Sequence, residues 1–324
     1  MGAPYGDIRL PGVQEFALNI VLVALGMCGL HIIFHQVLSA TSSRYNRIPQ
    51  LAEQRKQNSK SDDNGVKNGG GSRNNNTATT PEYKLPLIGM TAHVLTCQDL
   101  VAIPVSGAIC VYYLRGVLSF PEGLLYSWED RWLGRSHDII YGIYIHAAFS
   151  IYEVIIYSIV GKQYEFYLHH VLVVWQYGTG LILGRLLGFL ACAGLVEVTN
   201  VFLSSLSMMG RMDLKTSPLY LGAGVGLYVS YVMSRLILLP ITLGCLFYDI
   251  FTIPASVVNE IRVFLICSTG ACLVILSMSC LWFSKIHAGL MKHLYGKGGD
   301  DRAGSELDAT SHGHEHSNGH HKSQ

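Results

Sequence analysis

Several side chains that can move protons or hold charge lie inside apolar stretches of this 324-residue chain: His93, Glu153, His169, His170, Glu197 and Arg235. A charge or imidazole in hydrocarbon is costly, so such groups face a protein interior or a wet cavity and mark function. The types are those of general acid–base and nucleophilic chemistry. An imidazole held by a carboxylate can take a proton from a hydroxyl or amine, or carry an acyl group for one step. His169 and His170 form an adjacent pair at a helix start, so one ring can bond a carboxylate while the other faces a cavity. His169, His170, Glu197 and Glu153 are therefore the catalytic candidates. His93, His146, Tyr152, Thr199 and Arg235 are the polar lining expected around them. A plainer reading stands beside this one. His31, His35 and His93 can serve as hydrogen-bonded packing residues, and Glu153 and Glu197 can neutralise Arg235, which otherwise needs a carboxylate or backbone carbonyls.

The elements that must position these groups are membrane helices. Half the residues are hydrophobic, 14% are charged and the net charge is +1. That balance excludes a nucleic-acid binder working through a global positive field. Apolar windows at 14–39, 88–114, 138–160, 166–185, 186–208, 217–247 and 260–286 each reach the length of about 20 residues that a bilayer requires. The fold class is all-α, a multi-pass transmembrane bundle of about seven spans. The tightest junction falls near Gly184 and Arg185, and Pro104 and Pro240 are expected to kink their helices. All eight cysteines lie inside the windows and read as small buried side chains.

Basic residues orient the bundle. With the amino terminus outside, loop 41–86, the turns at 161–165 and 209–216 and the carboxyl end from Lys285 onward face the cytosol and hold 16 of the 23 Lys and Arg. Glycosylation of Asn75 would overturn that topology. Straight helices then place His93 and His170 roughly 8 Å below the cytosolic face, Glu153 at roughly 12 Å, Thr199 at roughly 13 Å and Glu197 at roughly 16 Å. Four helices thus bring polar groups into one layer, with His146 and Arg235 deeper. His146 and Glu153, seven residues apart, share a helix face.

Four regions follow along the chain. Residues 1–40 form an accessory amino-terminal helix, and 41–86 a cytosolic linker expected to be disordered, most clearly over 68–80. Residues 87–295 form a six-helix block, and 296–324 a disordered His-rich tail. His312, His314, His316, His320 and His321 in that tail can bind metal weakly. No His-x-x-x-Asp ligand pair lies inside a span, which argues against a zinc transporter. A seven-helix receptor is disfavoured by the lack of an Asp-Arg-Tyr-like triplet at the end of the third span and of Asn-Pro-x-x-Tyr near the last.

Six motifs occur in order across about 200 residues: Thr91-Ala-His93; Asp130-Arg-Trp-Leu-Gly134 with Tyr152-Glu153; His169-His170; Leu195-Val-Glu197-Val-Thr199-Asn-Val-Phe202-Leu203; Tyr231-Val-Met-Ser-Arg235 through Pro240; and Leu281-Trp282-Phe283-Ser-Lys285. Together they resemble a TLC domain, the lipid-associated helical fold of ceramide synthases, translocating-chain-associating membrane proteins and ceroid-lipofuscinosis-type proteins. Ceramide synthases carry His-His-x-x-Thr and then a His-Asp-x-x-Asp cluster. Here Val173 stands at the Thr position, and Glu197 and Thr199 replace the second cluster. The chain is thus more similar to the TLC-domain-containing branch associated with lipid homeostasis.

The resemblance implies an endoplasmic-reticulum membrane protein whose partners are membrane lipids. Its expected chemistry is acyl transfer to a lipid or sphingoid amine, with His170 as base or acyl carrier and no resident cofactor. Acyl-CoA would be the co-substrate, its phosphates held by Lys162, Arg211 and Lys215. The alternatives are a non-catalytic lipid carrier, sensor or cargo adaptor, and a structural helper of membrane insertion.

Overall fold

The computed structural model describes residues 10–66, 85–120, 127–161 and 164–295, and all regular structure among them is helical. In chain order the helices are α1 (Val13–Thr41), α2 (Ser43–Val66), α3 (Leu85–Leu118), α4 (Trp128–Leu133), α5 (His137–Val160), α6 (Tyr164–Leu183), α7 (Leu187–Gly194), α8 (Val198–Arg211), α9 (Pro218–Tyr231), α10 (Leu239–Thr252), α11 (Ala255–Glu260) and α12 (Arg262–Tyr295). Six segments are long and apolar enough to cross a membrane: Val13–Thr41, Thr91–Leu118, His137–Val160, Leu187–Arg211, Pro218–Thr252 and Arg262–Met291. The remaining expected span, α6, is not among the six. Its 20 residues include His169, His170 and Gln176, which dilute its apolar character.

The seam between α3 and α5 forms the centre, and α1, α2, α7 and α8 also pack on α3. Val101, Ile109 and Tyr113 from α3 meet Ile139, Ile143, Ala147 and Ala148 from α5 in one buried cluster. Lipid tails are as apolar as leucine, so close packing by small residues must hold such a seam. Tyr113 shows how. Its ring rests against Gly142, where an added Cβ would come within 2.7 Å, and against Gly194, where a Cβ would overlap the ring outright.

Two segments depart from expectation. Residues 43–66, the first half of the expected disordered linker, form α2. Ser42 caps it, its hydroxyl accepting from the Tyr45 N–H at 3.1 Å. Tyr45 and Ile48 are buried under Phe34, Leu38, Ala92 and Cys97. Burial and the bond to Cys97 hold the Tyr45 phenol well above its ordinary pKa. The tract 68–80 and the tail 296–324 lie outside the described residues.

The second is the short α4. Ser127 caps it, and its Arg131 and Trp132 reach Asp249 on α10. Arg131 donates to both carboxylate oxygens, at 2.7 and 2.5 Å, and the Trp132 indole donates at 3.0 Å. The Asp249 hydrogen bonds raise the Arg131 guanidinium above its usual pKa. This clamp ties the α3–α5 connection to the far side of the bundle.

The tight junction between α6 and α7 falls at the expected place. Gly184 takes φ 62°, and Arg185 donates its N–H to the Gly180 carbonyl at 3.1 Å. Leu186 follows at φ 61°, a left-handed conformation that a leucine adopts only when its surroundings impose it. Here the side chain is buried and its N–H is held by the Trp132 carbonyl at 2.9 Å.

Candidate functional site

Two of the spanning segments lose α-helical geometry where a charged candidate sits. Between α7 and α8, Leu195–Glu197 tightens into a 3-10 turn carrying Glu197. Between α9 and α10, Val232–Leu238 widens into a π-helix carrying Arg235, with Pro240 immediately beyond. Proline supplies no N–H for the carbonyl one turn back, which accounts for a departure at this point. Helix irregularities of both kinds recur at functional positions.

From α5 a histidine and a glutamate point the same way, and each finds its complement on another element. Glu153 lies 3.4 Å from the His170 Nε2 on α6. His146 Nε2 lies 3.5 Å from Glu197. All four side chains are buried. The remaining valences are filled locally. Glu153 Oε1 accepts from Gln98 at 3.0 Å and from the Tyr157 hydroxyl at 3.0 Å. Glu197 accepts from Asn200 at 2.7 Å, and His146 Nδ1 meets the Tyr113 hydroxyl at 3.3 Å. The glycines that seat Tyr113 therefore also position His146.

The free edge of His170 follows from this arrangement. With Nε2 facing a carboxylate that can only accept, the proton sits on Nε2 and Nδ1 keeps its lone pair. Nδ1 is buried and has no hydrogen-bond partner among the described residues. His169 lies edge-on to it, ring centroids 5.0 Å apart, and within electrostatic range of Glu197, Arg235 and His146.

Other candidates land elsewhere. Arg235 has no carboxylate at ion-pair distance among the described residues, contrary to the expected pairing with Glu153 or Glu197. It donates to the Thr199 hydroxyl at 3.2 Å and the Ser279 hydroxyl at 3.4 Å, and lies 5.3 Å over the Tyr231 ring. Tyr152 turns away from Glu153 and bonds His31 on α1 at 2.8 Å. Adjacent residues on a helix lie about 100° apart, so both cannot line one cavity.

His93 belongs to a separate cluster, its ring 4.3 Å from Tyr45 and 6.0 Å from His35. Arg211, expected to hold phosphates, instead turns its guanidinium onto Asp99, Thr96, Ser207 and the Leu95 carbonyl. Lys162 lies outside the described residues. Gln98, Tyr157, Tyr113 and Asn200 were not foreseen as site residues. Helical spacing flags two of them, since Tyr157 is four residues after Glu153 and Asn200 three after Glu197.

A small apolar pocket of about 20 Å³ lies between α6, α7, α10 and α12, lined by residues that include Gln176, Leu190, Leu243, Ser268 and Cys272. Gln176 lies seven residues from His169, on the same face of α6 and roughly 10 Å further along it.

The family model of the TLC domain matches residues 92–288, more than half of the chain, and takes in both histidine–glutamate pairs and Arg235. The chain belongs to the TLC domain family. Six apolar helices and this domain make it a multi-pass integral membrane protein of the lipid-related kind. Within the TLC domain, α3 to α12 supply every member of the polar layer. Helix α1 and the start of α2, with His31, His35 and Tyr45, precede it. Among curated proteins, none matches the chain. No group of three His, Cys, Asp or Glu among the described residues is placed to hold a metal ion.

Proposed function

We propose that this TLC-domain protein transfers an acyl chain to an amine or hydroxyl of a membrane lipid, with His170 as the base. The observation that carries the reading is the Glu153–His170 pair at 3.4 Å, with Nδ1 buried and unpartnered among the described residues. Nδ1 takes the proton of the lipid amine or hydroxyl as its nitrogen or oxygen attacks the carbonyl of an acyl thioester. The new C–N or C–O bond forms, the C–S bond breaks, and the proton passes from His170 to the departing thiolate. Glu153 stabilises the transient imidazolium, and Gln98 and Tyr157 hold Glu153 in place. Acyl-CoA is the proposed donor, and the distribution of Lys and Arg supports a cytosolic approach in the endoplasmic reticulum.

A second reading, non-catalytic lipid binding, draws on the small pocket beside α6, because the Ser268 hydroxyl on its wall is buried without a partner among the described residues and offers a hydrogen bond to a guest. Lipid profiling of cells lacking the protein, rescued by wild type or by His170→Ala, separates the two. Acyl transfer predicts a lipid class depleted in the knockout, restored by wild type and not by His170→Ala. Equal rescue by both proteins refutes it.

A further inference from the structure

We infer that Arg235 anchors the carboxylate of a long-chain fatty acid at the centre of the bundle. This site is independent of any chemistry at His170. Arg235 is the central residue of the 35-residue span Pro218–Thr252 and is 4% exposed. A guanidinium at that depth is retained only for a purpose, since it forfeits hydration that the membrane cannot replace. Its hydrogen bonds to Thr199 and Ser279 occupy two of the five N–H groups that an arginine carries, one on Nε and one on Nη1. The other three have no acceptor among the described residues.

The nearby carboxylates are committed elsewhere. Glu197 holds Asn200 and His146, and Glu153 holds Gln98, Tyr157 and His170. Each carboxylate has an imidazole at ion-pair distance. The backbone reinforces the point. The π-helix at Val232–Leu238 sets this side chain among hydroxyls and an aromatic face, with no acid at ion-pair distance among the described residues.

A free guanidinium fork matches a two-oxygen anion bidentately, and carboxylate and phosphate both qualify. Depth favours the carboxylate. A fatty acid can shed its charge by protonation, cross the hydrocarbon as the neutral acid and ionise against Arg235. A lipid phosphate would have to bring its charge roughly 15 Å below the interface. The ligand is therefore a single-chain carboxylic acid, its tail among the apolar helices.

The test uses the full chain in phosphatidylcholine nanodiscs with three probes that share one chain: palmitic acid, methyl palmitate and hexadecyl phosphate. Retention of each is measured by equilibrium binding to wild type, Arg235→Gln and His170→Ala. The expected result is palmitic acid bound at least tenfold more tightly than methyl palmitate, with that preference lost in Arg235→Gln and kept in His170→Ala. Wild type that binds acid and ester alike overturns the proposal, and this comparison holds even if Arg235→Gln does not fold. Tighter binding of hexadecyl phosphate than of palmitic acid overturns the assignment to a carboxylate. Loss of His170→Ala activity bears only on acyl transfer, so failures of the two ideas are distinguishable.

Discussion

Replacing Glu153 by Gln tests the base most sharply, because it changes a proton address and almost nothing else. In the native arrangement Oε1 accepts from Gln98 and Tyr157, both at 3.0 Å, and Oε2 faces His170 Nε2 at 3.4 Å. Glutamine has the same shape. Its carbonyl oxygen can keep the two donors, which leaves its NH₂ pointing at Nε2. Nε2 must then accept, the imidazole proton moves to Nδ1, and the atom that should take a proton from the lipid becomes a donor. The loss expected for a misassigned general base is on the order of 10²–10⁴ in rate. The stability change is smaller. One charge-assisted hydrogen bond worth about 1.5–3 kcal/mol is exchanged for a neutral one worth about 1 kcal/mol. The assay is acyl transfer by membranes carrying wild type, Glu153→Gln or His170→Ala, normalised to folded protein from a thermal melt. The reasoning is refuted if Glu153→Gln melts like wild type and retains activity within a few fold while His170→Ala is inactive.

Further outcomes follow from the packing. Asp249→Ala removes the carboxylate that the buried Arg131 guanidinium and the Trp132 indole both bind and should lower stability by about 3–5 kcal/mol, seen as a lower melting temperature in detergent. Gly194→Ala drives a methyl into the Tyr113 ring and should cost about 1–3 kcal/mol. It should also disturb His146, so that activity falls further than stability alone predicts. Arg211→Ala should weaken the α3–α8 contact at Asp99 and reduce thermal stability. It should leave the KM for acyl-CoA unchanged, because its guanidinium is already turned onto the protein. Tyr45→Phe removes a hydroxyl that links His35 at 2.7 Å and Cys97 at 3.2 Å. It should expose α2 to protease while leaving α3 to α12 protected.

How far the sequence reveals this molecule depends on the kind of information each residue carries. Spans are legible because about 20 apolar residues in a row have one economical solution in a bilayer. Helix periodicity then put His146 and Glu153 on one face, and both find partners there. Rotation about each helix axis is set by packing, not by composition, and there depth arguments lose their grip. Tyr152 and Glu153 share a depth yet face α1 and α6 respectively.

Arg235 illustrates the same limit. Charge counting offers it a glutamate, but the π-helical turn and two hydroxyls decide its surroundings, and a π-helix leaves little mark in one sequence beyond the proline at 240. Asp99 lies inside the expected window 88–114 and Asp249 just beyond 217–247, and their partners Arg211 and Arg131 come from the end of α8 and from the short α4, contacts that span composition does not reveal. Helix α2 was hidden by averaging. Its polar composition as a whole reads as linker, while Tyr45 and Ile48, three residues apart, carry the apolar contact that docks it.

The central claim concerns an unpartnered imidazole nitrogen inside a TLC domain, and in vitro transfer addresses it without intermediaries. Purified protein in nanodiscs is given an acyl-CoA with a labelled chain and, in parallel, a sphingoid amine or a lysolipid acceptor. The account predicts label in the acceptor with wild type and none above background with His170→Ala, both proteins melting at the same temperature. Transfer by His170→Ala equal to wild type, or a folded wild type that moves no label to any acceptor, would contradict it.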